Sequence, residues 1–186
     1  IKESDPKMQD LKNRLTASYK QDKNKKILIF SFFADTINHI EESLRNDPTM
    51  AEIYTKSAFV SGRDRKHALH CADRFAPEAK GAQDIAKEEG EITYLFATDV
   101  LSEGQNLQDC DTVINYDIHW NPVRVIQRFG RIDRIGSKWN SIQMVNFWPT
   151  DDFESIVALR TRVERRIAMI SAIGDGDANL LNPEED

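Results

Sequence analysis

Five short, unbroken apolar runs with helix-like segments between them constrain the fold more than any other feature. They occupy 27–33, 57–60, 92–97, 112–116 and 142–147. A strand with one face in water alternates apolar and polar residues. A run without that alternation reads as a strand covered on both faces. Between the runs lie helical patterns. Asp5-Pro6 reads as a cap followed by Pro at the first helical position, with Met8, Leu11, Leu15 and Tyr19 at helical spacing. Ile37, Ile40, Glu41 and Leu44 continue as an amphipathic helix, and 65–75 reads as another. Asn121-Pro122 caps and opens a helix running to about Ile135, closed by Gly136, and Asp151-Asp152 opens a last helix to about Ile173. The Lys/Glu-rich stretch 77–90 reads as a surface loop or loose helix. The alternation predicts an α/β fold, a doubly wound parallel sheet flanked by helices, and such sheets bind ligands at the carboxyl ends of their strands. No internal repeat or low-complexity block interrupts it.

Composition narrows the partners. Hydrophobic residues make up 40% of the 186, enough for a buried core. No run approaches the ~20 apolar residues of a membrane span. The first residues have neither a signal-peptide core nor an initiator Met, and the chain reads as a piece of something longer. Cys71 and Cys110 fall in no metal or redox spacing and fit a reducing cytoplasm. The four histidines share no ligand spacing either, and no metal site is expected from this chain. The net charge of −6 is uneven: Asp175 to Asp186 holds five acids and no base, leaving the rest near neutral. Within Trp120–Arg166, nine bases outnumber five acids. An acidic total is therefore compatible with a nucleic-acid partner met by a local basic face.

The most informative stretch is 117–136. On a helix at about 100° per residue, Arg124, Arg128 and Arg131 share an arc of about 60°, while Val125, Ile126, Phe129 and Ile132 gather on the other side. The apolar face would hold the helix to the sheet and the guanidinium face would look outward. Guanidinium stays charged and offers forked donors, which suits phosphate oxygens. Such a pattern also describes an ordinary amphipathic surface helix.

The flanking residues decide between these. Trp120-Asn121-Pro122, then Gln127-Arg128-x-Gly130-Arg131-x-x-Arg134-Ile135-Gly136, closely resembles motif VI of superfamily-two helicases, and its context is similar to the SWI/SNF-type branch. The segment 97–107, with Thr98, Gly104 and Asn106, resembles motif V, and Lys26 to Ser31 resembles motif IV. Val60-Ser61-Gly62 is similar to the family's phosphate-contacting glycine turn. Ser102-Glu103-Gly104 with the arginine run looks closest to the bacterial RNA-polymerase-associated ATPase and kindred translocases. Ser137 stands where that branch usually has Gln, and Phe32 follows Ser31 where Gln is common. The likeness covers about 26–147, in the family's order.

The resemblance implies two RecA-like lobes with ATP and Mg²⁺ in the cleft between them. Neither Gly-Lys-Ser/Thr nor an Asp-Glu dipeptide occurs here, so the chain resembles the second lobe, with the phosphate loop and metal ligands expected from an N-terminal lobe of the same parent. By that likeness Arg131 and Arg134 approach the γ-phosphate and Gln127 couples it to the cleft. Gly104, Asn106 and Gly130 contact the nucleotide. Ser61, Gly62 and Thr98 touch the nucleic-acid backbone, expected to be duplex DNA. The domains then read as an N-terminal helix and linker (1–25), a helicase C-terminal RecA-like lobe (26–150), a C-terminal helix (151–174) and an acidic tail (175–186). Two alternatives stay open: a docking lobe with no part in hydrolysis, and an unrelated α/β enzyme using Asp99 and Asp117 at strand ends.

Overall fold

Asp5 starts the first helix as the cap that the sequence suggests. Its carboxylate accepts the backbone N–H of Lys7 (3.0 Å) and Met8 (3.1 Å), and Pro6 follows where a missing N–H costs nothing. The computed structural model describes residues 5–61, 64–101, 105–117 and 138–147, together with Val125, Gln127, Arg128, Gly130, Arg131, Ile132, Ala158, Thr161 and Arg165. Helix α1 spans Pro6–Gln21, α2 Ala34–Arg45, α3 Ala51–Thr55, α4 Arg65–Phe75, α5 Pro77–Lys80 and α6 Gln83–Glu89. The strands are β1 Ile27–Phe30, β2 Ser57–Val60, β3 Tyr94–Ala97, β4 Thr112–Asn115 and β5 Gln143–Asn146.

All five strands are parallel, in the order β2-β3-β1-β4-β5. Successive strand side chains point to opposite faces, so each strand feeds two cores. Leu28 and Phe30 join Leu95, Ala97 and Val113 under α4, against Ala68, Cys71, Ala72 and Phe75. Ile27 and Ile29 join Tyr94, Phe96 and Ile114 on the other face, against Met8, Leu11 and Leu15 of α1 and Ile37, Ile40 and Leu44 of α2. Full burial of each Leu, Ile or Phe contributes roughly 1.5–3 kcal/mol. This is the doubly wound parallel arrangement that the unalternating runs predict, and the RecA-like form that the family resemblance implies, with α1 integral to one of its layers.

Two local expectations need correction. The run 27–33 is not strand throughout. Ser31 takes the Phe33 N–H on its own hydroxyl (3.2 Å), the chain turns, and Phe33 becomes the residue before α2. Phe32 and Phe33 consequently lie on the surface, 46% and 59% exposed, packed edge to face. Over 77–90 the helical alternative holds and the loop does not, as two short helices fixed to the rest of the chain. Gly81, at φ 64°, ends α5 in the left-handed conformation that glycine tolerates, and α6 follows. Arg74 donates to the carbonyls of Glu89 and Gly90 (2.9 and 2.8 Å), and Lys80 reaches Gln105 (2.7 Å).

The amino-terminal edge of the sheet is cross-linked by charge. Asp109, buried, accepts the backbone N–H of Glu78 and Ala79 (2.8 and 2.9 Å) and faces Lys26. Lys26 also pairs with Glu91, Lys25 with Asp111 (3.6 Å) and Lys138 with Glu78 (2.8 Å). These groups line a cleft of about 310 Å³ beside Trp139.

Candidate functional site at the carboxyl edge

The chain leaves β1 toward β2 and leaves β4 toward β5, so the connections diverge and open a crevice at the carboxyl ends of these two adjacent strands. Arg128 fills its floor. Its side chain is fully buried, with the guanidinium 5.0 Å from the Phe30 ring centre. Nε donates to Asp99 Oδ1 (2.8 Å), and Nη1 donates to Asn115 Oδ1 (3.0 Å) and the Asp117 carbonyl (3.4 Å). Asn115 in turn donates to Asn146 (2.8 Å). One polar rail thus runs from the loop after β3 across β4 to β5. At the crevice mouth Asp117 accepts from Lys7 of α1 (2.7 Å) and from the Ser31 hydroxyl (2.5 Å). Lys7 sits over the Tyr116 ring (4.3 Å), and burial pushes that phenol above its ordinary range.

The outward guanidinium face therefore does not include Arg128. On a helix it lies about 60° from Val125 and about 40° from Ile132, and all three are buried. Nor does the helix reach Ile135 unbroken. Val125, Gln127 and Arg128 are helical, but Gly130, Arg131 and Ile132 form a turn, with Arg131 N donating to Arg128 O (3.2 Å). Glycine is a poor helix interior residue and permits the change.

The turn meets the loop that resembles motif V. Leu107 N donates to Arg131 O (3.0 Å), which places Asn106 beside the arginine turn. Asn106 is half-buried, and its side chain accepts the Gln108 N–H (3.3 Å). Gln127 and Gly130 are exposed and Arg131 is half-buried. Ser61 and Thr98 follow the paired strand ends Val60 and Ala97, so they share one edge. Thr98 N donates to Val60 O (3.0 Å), and the Ser61 hydroxyl donates to Asn38 of α2 (2.9 Å). Arg134, Gly62 and Gly104 lie outside the described residues, as do Arg124, Asn121, Trp120 and Asp133.

The sequence patterns did not reveal Asn115, the pairing of Asp99 with Arg128, or the buried role of Arg128. The signal was present, because an arginine within 40° of Ile132 belongs to the apolar border of the helix. Among the described residues no group of three His, Cys, Asp or Glu side chains could hold a metal. No helix among them is long and apolar enough to cross a membrane. Asp99 and Asp117, the carboxylates of the unrelated-enzyme alternative, are engaged with Arg128 and with Lys7 and Ser31, respectively.

A parallel sheet with a polar crevice at its carboxyl edge defines a doubly wound α/β protein, and comparison sharpens that class. The family model described as the helicase conserved C-terminal domain matches residues 6–136, and the chain belongs to that family. Over 61 residues it is 48% identical to the "Uncharacterized ATP-dependent helicase YqhH" of Bacillus subtilis (strain 168), a match covering 32% of this chain and 11% of that protein. In fold it is similar to the helicase domain of Pyrococcus furiosus Hef (24% identity, TM-score 0.55), covering 84% of this chain and 28% of that one. It is likewise similar to the C-terminal part of the Fun30 ATPase domain (21% identity, TM-score 0.56), covering 84% of this chain and 47% of that one. The chain thus spans a small part of the relatives it matches.

Proposed function

We propose that this chain is the second motor lobe of an ATP-dependent nucleic-acid translocase of the SWI/SNF-type branch, working from the cytoplasm on duplex DNA. In this reading Arg131 and Arg134 stabilise charge spreading over the γ-phosphate oxygens as the bond to the leaving group breaks. Gln127 and Gly130 border the same phosphate, and Gly104 and Asn106 approach the nucleotide. ATP and Mg²⁺ are held jointly with an N-terminal RecA-like lobe of the same parent, which contributes the phosphate loop and metal ligands. The donor set here suits that division, being guanidinium, amide and backbone N–H, with no carboxylate cluster among the described residues. Ser61, Gly62 and Thr98 hydrogen-bond the phosphate backbone, which positions the protein without reading bases.

One observation carries the reading: the Leu107 N to Arg131 O hydrogen bond, which joins the two segments resembling motifs V and VI at the crevice. Family membership supports it independently. The test is ATPase stimulation of the full-length parent by matched duplex and single-stranded DNA and RNA, run beside strand displacement. Duplex-stimulated turnover without displacement is expected. Stimulation by single strands alone, with displacement, would replace translocation by unwinding. No nucleic-acid-stimulated turnover at all would leave a docking lobe.

A further inference from the structure

We propose that Arg128 is a positioning residue for ATP turnover, fixing the turn that carries Arg131 by tying it to the loop after β3 and to the end of β4. The inference rests on the reading of Arg131 given above and adds a residue that touches no substrate. A guanidinium cannot shed its charge in a protein, so burying it is costly unless permanent partners surround it. Packing alone does not call for a guanidinium here, since it lies against the Phe30 ring and the helix positions on either side of it, Val125 and Ile132, are buried and aliphatic. What an apolar residue cannot do is tie its own segment to two others, the turn after β3 and the end of β4. Arg128 does so with its fork: Asp99 in the turn 99–101 through Nε, and Asn115 and the Asp117 carbonyl through Nη1.

Arg131 is held from two sides. It is fastened on one side to Arg128, by its own N–H to the Arg128 carbonyl, and on the other to Leu107, by its carbonyl to the Leu107 N–H. The Arg128 side chain pairs in turn with Asp99 (2.8 Å). The backbone anchor on one side of Arg131 therefore belongs to the residue that this ion pair fixes. Loosening that pair shifts the position of the arginine without removing it. A displacement near 1 Å at a reacting centre can cost about 10²-fold in rate.

The test uses the full-length parent with three readouts: thermal midpoint, KM for ATP, and kcat per folded molecule well below that midpoint. Arg131→Ala is the reference and tests the earlier reading alone. Arg128→Lys keeps the charge and loses the fork. Asp99→Asn weakens the tether, and Asp99→Asn with Asn115→Asp moves the carboxylate from the loop after β3 to β4 while keeping the buried charge paired. The expected result for Arg128→Lys is a kcat lower by about 10–100-fold with KM within twofold. The double variant should recover the thermal midpoint relative to Asp99→Asn but not the kcat. If the double variant recovers both, or Arg128→Lys turns over within twofold of the parent, Arg128 is a packing residue only and the proposal fails. If Arg131→Ala itself turns over normally, it is the reading of Arg131 that fails.

Discussion

The two edges of the sheet use charge in opposite ways. At the amino edge, Lys25, Lys26 and Lys138 are spread over Asp109, Asp111, Glu78 and Glu91, around an open cleft. At the carboxyl edge the central cation is Arg128, buried and paired with Asp99 and Asn115, with Lys7–Asp117 at the crevice mouth, and the described residues left toward solvent include the neutral Gln127, Gly130, Ser61, Thr98, Phe32 and Phe33. Distributed, half-solvated pairs at the first edge join α5–α6 to the strand starts, which is a stabilising task. The buried Arg128 at the second edge fixes backbone geometry around a crevice, which is a task of placement. Exposed ion pairs typically contribute 0.2–1 kcal/mol each, whereas breaking a buried one typically costs 3–5 kcal/mol. The edges should therefore respond to mutation in different observables.

The largest expected contrast is in turnover. In the full-length parent, Arg131→Ala or Arg134→Ala should lower kcat by about 10³-fold with nucleotide affinity less affected, because such a group acts chiefly on the transition state. Lys138→Ala at the amino edge should leave kcat within twofold, and Arg124→Ala should do much less than the other two arginine substitutions. Equal, small effects of all four substitutions in steady-state ATPase measurements would erase the contrast.

The next contrast is in stability. Asp109→Ala removes the buried acceptor of two backbone N–H groups at the start of α5 and a partner of Lys26, and should cost about 1–3 kcal/mol in urea unfolding, with kcat per folded molecule retained. A loss of kcat without a loss of stability would place chemistry at the wrong edge. Smaller again is the thiol readout. Cys71 and Cys110 are free and buried, and burial pushes the Cys110 thiol up to about 12 and the Cys71 thiol above its ordinary value. A thiol-specific reagent at pH 8 should label neither in the native chain and both in denaturant. The smallest effect is at Asp47, where the Lys12 ammonium, then Thr49, hold the carboxyl down at about 2. A depressed folded value means the contribution is present above about pH 4 and lost as pH falls toward 2. Lys12→Ala should therefore lose less stability than the parent between pH 5 and pH 2 in thermal melts, and an identical loss would show that the pair does not tie α1 to the rest.

Most of the fold was legible because apolar runs and caps are local signals. Asp5-Pro6, the unalternating strands and the spacing of Ile37, Ile40 and Leu44 each act over a few residues, and the elements appear where those patterns place them. The end of β1 was misread because composition cannot tell a buried Phe from an exposed one. Ser31 turns the chain through hydrogen bonds to Phe33 and to Asp117, the latter partner 86 residues away. The short helices α5 and α6 were hidden by polar composition, since their order comes from Asp109, Arg74 and Gln105. At the site, residue types and order were readable. The inward turn of Arg128 was not legible, because its partners Asp99 and Asn115 come from the turn after β3 and the end of β4.

The central claim is that the carboxyl edge is one half of a composite ATP site. Steady-state ATP hydrolysis by the isolated 186-residue chain, at saturating nucleotide and Mg²⁺ with duplex DNA present, tests it most directly. With neither a Gly-Lys-Ser/Thr phosphate loop nor an Asp-Glu pair in its sequence, the chain should show no turnover above the uncatalysed background. Turnover on the order of 1–100 s⁻¹, the range of complete phosphoryl-transfer enzymes, would contradict it.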